Sequence, residues 1–219
     1  MSKGSRDLKV EILIFDLDGT LVDSKTDIAN AMNATLTSLG LTPAPISEIE
    51  KFVGVGVASM IPHKLGPTNS LVAKAIALYE DTYAASLVDF TRPYPGVTEV
   101  LEHFRAKPKI VLTNKATRFV NPILEGLGIR DHFSQAHGAQ CLPYRKPDPR
   151  TIQDICTHHG VSVQDAVIIG DTEVDIATGK AAGCRTCAVS YGYGDLPKMR
   201  SMNPDLFVDD LREIIPVLK

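Results

Sequence analysis

The stretch Val10-Glu11-Ile12-Leu13-Ile14-Phe15-Asp16-Leu17-Asp18-Gly19-Thr20 holds an apolar run that stops on two aspartates separated by a single residue. Aliphatic residues bounded by a Gly-containing turn read as a buried parallel strand over residues 10–15. Two carboxylates at the end of such a strand repel each other and lose hydration together. A divalent cation would remove that cost, and carboxylate oxygens together with water are what Mg²⁺ prefers. In open α/β sheets, ligands bind outside the carboxyl ends of the strands. The stretch therefore points to a metal-dependent site, with plain capping of a turn or helix as the alternative role for the two acids.

Three later segments extend this reading. Val111-Leu112-Thr113-Asn114-Lys115 ends a second apolar strand on a threonine. Arg145-Lys146-Pro147-Asp148-Pro149 places a lysine before a Pro-framed helix start. Val167-Ile168-Ile169-Gly170-Asp171-Thr172-Glu173-Val174-Asp175 ends a third strand on Gly-Asp, with another Asp four residues on. Taken singly, Thr113 fits a helix cap, Lys146 a solvated lysine, and Asp171 with Asp175 a pair of acids favoured by a helix N-terminus.

Apolar strands alternate with helical patterns, the signature of a doubly wound α/β domain with a parallel sheet. Strands are expected over residues 10–15, 109–112, 133–136, 166–169 and 186–189, with a short last one at 206–208. Helices are expected over 97–105, 117–127, 150–159, 174–182 and 211–218, and Gly128 and Gly183 are suitable stops. Residues 24–90 break the alternation: helical periodicity covers 27–39, 47–52, 58–65 and 71–87, and no strand intervenes. So long a segment is a small inserted four-helix domain, not a loop. Arg92-Pro93-Tyr94-Pro95-Gly96 is its Pro-stiffened return linker. The division expected is thus a core over 1–22 and 93–219 and a helical unit over 23–92.

Composition excludes several classes. The 219 residues carry a formal net charge of -3, with no basic stripe or block for a nucleic acid or a membrane surface. No stretch approaches the ~18 apolar residues of a membrane span. The polar start Met1-Ser2-Lys3-Gly4-Ser5-Arg6-Asp7 lacks the pattern of a signal peptide, so a soluble, cytoplasmic protein is expected. Its oligomeric state is left open. Cys184-Arg185-Thr186-Cys187 has no second Cys or His pair at zinc spacing, and is read as core packing by small hydrophobes. Val53-Gly54-Val55-Gly56-Val57-Ala58 matches a dinucleotide GxGxxA on paper, but no strand precedes it.

In their order, the four motifs resemble those of the haloacid dehalogenase-like phosphatase superfamily. The place of the helical insertion resembles the cap of its phosphoglycolate phosphatase-like branch. The resemblance implies a Rossmann-like core with a helical cap and Mg²⁺-dependent hydrolysis of a small phosphorylated metabolite, 2-phosphoglycolate first. It makes Asp16 the nucleophile of an aspartyl-phosphate and Asp18 the acid that protonates the leaving oxygen and then activates water. That role needs an Asp18 carboxyl able to hold a proton near neutral pH. Thr113, backbone N–H groups near Asn114, and Lys146 would surround the phosphoryl oxygens, and Lys146 would restrain Asp16. Asp16, the main-chain carbonyl of Asp18, and Asp171 would hold Mg²⁺, with Asp175 orienting them from behind. Gly54 and Gly56 would face the site from the cap. Lys51, His63 and Lys64 are cap cations for a substrate carboxylate, or else surface residues.

Other readings share the chemistry. A β-phosphoglucomutase-like mutase commonly has Val where this chain has Thr20, and phosphatases of sugar phosphates, nucleotides or pyrophosphate stay open. Dehalogenase chemistry does not keep the acid at Asp18. A non-catalytic relative would have lost one of Asp16, Asp18, Lys146 or Asp171.

Overall fold

Along the first strand, side chains alternate between two apolar layers. In the computed structural model, which describes residues 8–219, β1 (Ile12–Phe15) is buried throughout. Ile12 and Ile14 join a core with Ile152, Ile155 and Cys156, while Leu13 and Phe15 join another with Phe119, Val120 and Ile123. A strand with no polar face belongs inside a parallel sheet with helices on both sides. The polar start, residues 1–7, read above as lacking a signal peptide, lies outside the described residues.

After β1 the chain makes a two-residue strand, β2 (Val22–Asp23), and enters α1 (Lys25–Ser38), α2 (Ile46–Ile49), α3 (Met60–Leu65) and α4 (Val72–Ala84). It returns through β3 (Arg92–Pro93), which pairs antiparallel with β2. Then follow α5 (Val97–His103), β4 (Lys109–Leu112), α6 (Thr117–Gly126), β5 (Gln135–His137), α7 (Arg150–His159), β6 (Ala166–Gly170), α8 (Glu173–Ala182), β7 (Arg185–Val189), α9 (Leu196–Ser201) and β8 (Leu206–Val208). The main sheet has the order β5-β4-β1-β6-β7-β8, and all its pairings are parallel. The chain winds outward from β1 to β4 and β5, then crosses to β6 on the other side. The carboxyl end of β1 is therefore the switch point at which such sheets bind ligands.

Four local expectations shift. β5 begins at Gln135, and Phe133 instead buries its ring edge-on to Phe15 at 6.2 Å. Residues 47–52 divide into α2 and a 3-10 turn over Glu50–Phe52. The last helix, expected over 211–218, is one 3-10 turn at Leu211–Ile214. Pro216 lacks an N–H and disfavours helix for the residue before it. Helix α9 was not expected, although its start is written in the chain: Asp195 accepts the Lys198 N–H, and Pro197 lies in the first turn. Cys184 and Cys187 are buried free thiols, which burial holds up at about 12.

Candidate active site

Three carboxylates converge at the switch point. Asp16 follows β1, Asp171 follows β6, and Asp175 stands in the first turn of α8; ligand oxygens of all three lie within 4.8 Å of one another. All are buried. Lys146, also buried, reaches in between, with Nζ 2.9 Å from Asp16 Oδ1 and 2.6 Å from Asp175 Oδ1. Three carboxylates against one ammonium leave two negative charges in excess. Burial, helped by Asp175, pushes the Asp16 carboxyl up to about 6 against the pull of Lys146. Burial and the two neighbouring carboxylates raise Asp171 well above the carboxylate range. Burial alone would lower Lys146, but Asp16 and Asp175 outweigh it and hold the ammonium charged.

Each acid is fixed by its own contacts. Asp175 Oδ2 accepts the Thr172 N–H at 3.1 Å and hydroxyl at 2.7 Å, closing a capping box. With Lys146 on its other oxygen, Asp175 is committed to orienting its neighbours. Asp171 accepts the Thr20 hydroxyl at 2.9 Å and the Tyr193 N–H at 2.8 Å. Gly19, at φ +83°, lies so close that a Cβ there would fall on the Asp171 carboxylate. Asp16 Oδ1 is buried and is met by the Lys146 ammonium. The Asp18 carboxylate stands apart from this cluster, accepting Lys115 Nζ at 3.0 Å on both oxygens and the Ser24 hydroxyl at 2.5 Å.

A model of the haloacid dehalogenase-like hydrolase family matches residues 13–189, which include Asp16, Asp18, Lys146, Asp171 and Asp175. The chain belongs to that family. A phosphoglycolate phosphatase of Chromobacterium violaceum is 36% identical over 218 residues, covering 96% of this chain and 97% of its own. One of Psychrobacter arcticus is 36% identical over 219 residues, covering 95% of each. The crystal structure of a predicted phosphoglycolate phosphatase from Haemophilus somnus superposes with a TM-score of 0.90 at 30% identity, covering 95% of this chain and 97% of that one. The chain is thus a haloacid dehalogenase-like phosphatase on the phosphoglycolate phosphatase-like branch.

In this phosphatase, a cavity of about 190 Å³ opens onto Asp16, Asp18 and Thr113. The opposite wall comes from the helical insertion: residues 53–59, with Gly54 and Gly56, and Tyr79, Glu80 and Tyr83 of α4. Asn114 joins the two walls, donating from Nδ2 to the Gly54 carbonyl at 2.8 Å and the Lys146 carbonyl at 3.0 Å. Its side-chain donors are thus spent on protein. The Thr113 N–H is likewise spent, on the His137 carbonyl, and its hydroxyl accepts the Lys115 N–H at 3.2 Å.

Lys51, His63 and Lys64 do not line the cavity: all are exposed, Lys64 pairs with Glu48 at 2.6 Å, and His63 packs on Phe52. The cations that do line it are Lys115 and Arg145. Neither was singled out from the sequence, although both stand inside quoted motifs. Tyr193 was missed too. Its hydroxyl accepts the Ser24 N–H at 2.9 Å and donates to Asp23 at 3.1 Å, tying the Asp171 loop to the base of the insertion. No local signal marks it.

No helix among the described residues is long and apolar enough to cross a membrane.

Proposed function

We propose that this phosphatase hydrolyses 2-phosphoglycolate through an aspartyl-phosphate on Asp16, with Mg²⁺ in the acid cluster and residues 23–92 acting as a cap domain. The observation that carries the reading is the convergence of Asp16, Asp171 and Asp175 around Lys146, beside Thr113, at the ends of adjacent strands. The substrate is carried by the relatives, which are named phosphoglycolate phosphatases at 36% identity.

The donor set fits a divalent cation: three buried carboxylates whose oxygens lie within 4.8 Å of one another, against the single ammonium of Lys146. Asp16, Asp171 and the main-chain carbonyl of Asp18 would hold Mg²⁺, and Asp175 would orient them. Bound there, Mg²⁺ would neutralise the carboxylates and the phosphoryl oxygens.

A carboxylate oxygen of Asp16 attacks phosphorus, and the bond to the ester oxygen breaks. The Asp18 carboxyl gives its proton to that oxygen, releasing glycolate. The Asp18 carboxylate then takes a proton from water, whose oxygen attacks phosphorus. The phosphorus–Asp16 bond breaks, and inorganic phosphate leaves with Asp16 restored. Lys146 and the Thr113 hydroxyl meet the negative charge spread over the phosphoryl oxygens. The wall of residues 53–59 keeps bulk water from the intermediate.

The test is phosphate release with and without Mg²⁺ across 2-phosphoglycolate, pyrophosphate, sugar phosphates and nucleoside monophosphates. A kcat/KM for 2-phosphoglycolate at least ~100-fold above the others is expected. Asp16→Asn should lose at least ~10³-fold in kcat, because an amide is no nucleophile at phosphorus. An active Asp16→Asn protein would overturn the covalent route.

A further inference from the structure

We propose that Lys115 is the residue that selects the substrate, by holding a carboxylate carried on the carbon next to the ester oxygen. The inference rests on the phosphoglycolate reading above and assigns its specificity to one side chain.

Charge placement leaves few candidates for that task. Lys146 is taken up between Asp16 and Asp175. Arg118 turns to Glu80, which also lines the cavity, and to Asp81. Arg145 lies exposed at the cavity wall. Lys115 is the deep one, its side chain 7% exposed.

The surroundings of Lys115 fit an anion-binding ammonium. Nζ sits 4.5 Å from the centroid of the Tyr83 ring. Tyr83 in turn stacks on Tyr79 and meets Phe119 edge-on. This aromatic wall lowers the local dielectric and strengthens ionic contacts made against it. An ammonium has three N–H donors. Asp18 engages Nζ through both of its oxygens, and no further hydrogen-bond acceptor meets Nζ among the described residues. Capacity for one more anion remains.

The chemistry of the ester then sets which anion. As the acid, Asp18 must touch the ester oxygen. In the phosphate ester of a 2-hydroxy acid, the carboxylate carbon is two bonds from that oxygen. A cation already on Asp18 is therefore within reach of that carboxylate. An anionic group at the far end of a sugar or nucleotide is many bonds further away, and a neutral hydroxyl in its place gives the ammonium a weaker acceptor. Lys115 thus ties recognition of the acid to the residue that protonates the leaving group.

The experiment compares kcat/KM for 2-phosphoglycolate with that for 2-hydroxyethyl phosphate, which has the same chain length and no carboxylate, using the full chain with saturating Mg²⁺. The wild-type protein should favour 2-phosphoglycolate by about 100-fold or more. Lys115→Met should collapse this ratio by about 30-fold or more, and Lys115→Arg, which keeps the charge, should restore part of it. Arg145→Gln should change the ratio less than about threefold. If Lys115→Met does not fold, Lys115→Gln carries the same comparison. Equal losses on both substrates would overturn the proposal and leave Lys115 as a support for Asp18. A collapse of the ratio in Arg145→Gln instead would move recognition to Arg145. A wild-type ratio near one, with phosphate release intact, would overturn the phosphoglycolate reading itself and the proposal with it.

Discussion

At Gly19 two demands meet that only the smallest residue satisfies. Its φ of +83° is left-handed, and a Cβ there would strike the Asp171 carboxylate and crowd the Tyr193 ring. Gly19→Ala should therefore cost about 2–4 kcal/mol in urea unfolding, from backbone strain and overpacking together. It should also displace Asp171 from its position beside Asp16, so activity falls by more than the lost stability explains. A variant with wild-type stability would show that the Asp171 loop yields freely. The turn at Gly19 was legible from the motif, but the group that crowds it was not. It is a carboxylate 152 positions away in the chain, brought there by β6 pairing with β1.

At the element scale, the helical insertion is clasped to the core where it leaves and returns. The pairing of β2 with β3 is only two residues long. Beside it, the buried Asp27 carboxylate in the first turn of α1 accepts the Phe90 N–H at 3.0 Å, the Thr91 N–H at 2.8 Å and the Thr91 hydroxyl at 2.7 Å. All three donors reach Oδ2, and the Phe90 N–H also reaches Oδ1 at 3.1 Å, so an amide would turn its own N–H donors against the Phe90 N–H. Asp27→Asn should cost about 1–3 kcal/mol, read by urea unfolding with the m-value unchanged. A loss below about 0.5 kcal/mol would mean that β2 and β3 hold the junction without it. From the sequence, the helical character of residues 24–90 was legible because apolar periodicity is local. Asp27 itself carried no signal, since acids in a first helical turn are ordinary.

For the whole molecule, the buried acid cluster links stability to pH and metal. A carboxyl whose pKa in the folded protein lies above its unfolded value binds more protons when folded, so stability falls as pH rises through that window. Asp16 goes from 3.8 to about 6, mainly through burial, and Asp171 is raised in the same sense by burial and its neighbouring carboxylates. Without metal the protein should therefore lose stability as pH climbs from about 4 past 6. Mg²⁺ should return it, so the rise in Tm on replacing EDTA with Mg²⁺ should be larger near pH 7.5 than near pH 5. An equal rise at both would place the ion away from Asp16 and Asp171. The same division between local and distant runs through the whole protein. The α/β class, the strands that end on Asp16, Thr113 and Asp171, and the helical stretch between the first two of them could all be read along the chain. These are local signals, because an apolar run that stops on a polar residue states where burial ends. Beyond what the family resemblance supplied, the partners standing opposite these residues came from the packing of distant segments. Lys115 meets Asp18 across 97 positions, Lys146 meets Asp175 across 29, and Thr91 meets Asp27 across 64. Strand order and helix packing bring such partners together, and no period or motif within one segment encodes a contact with another.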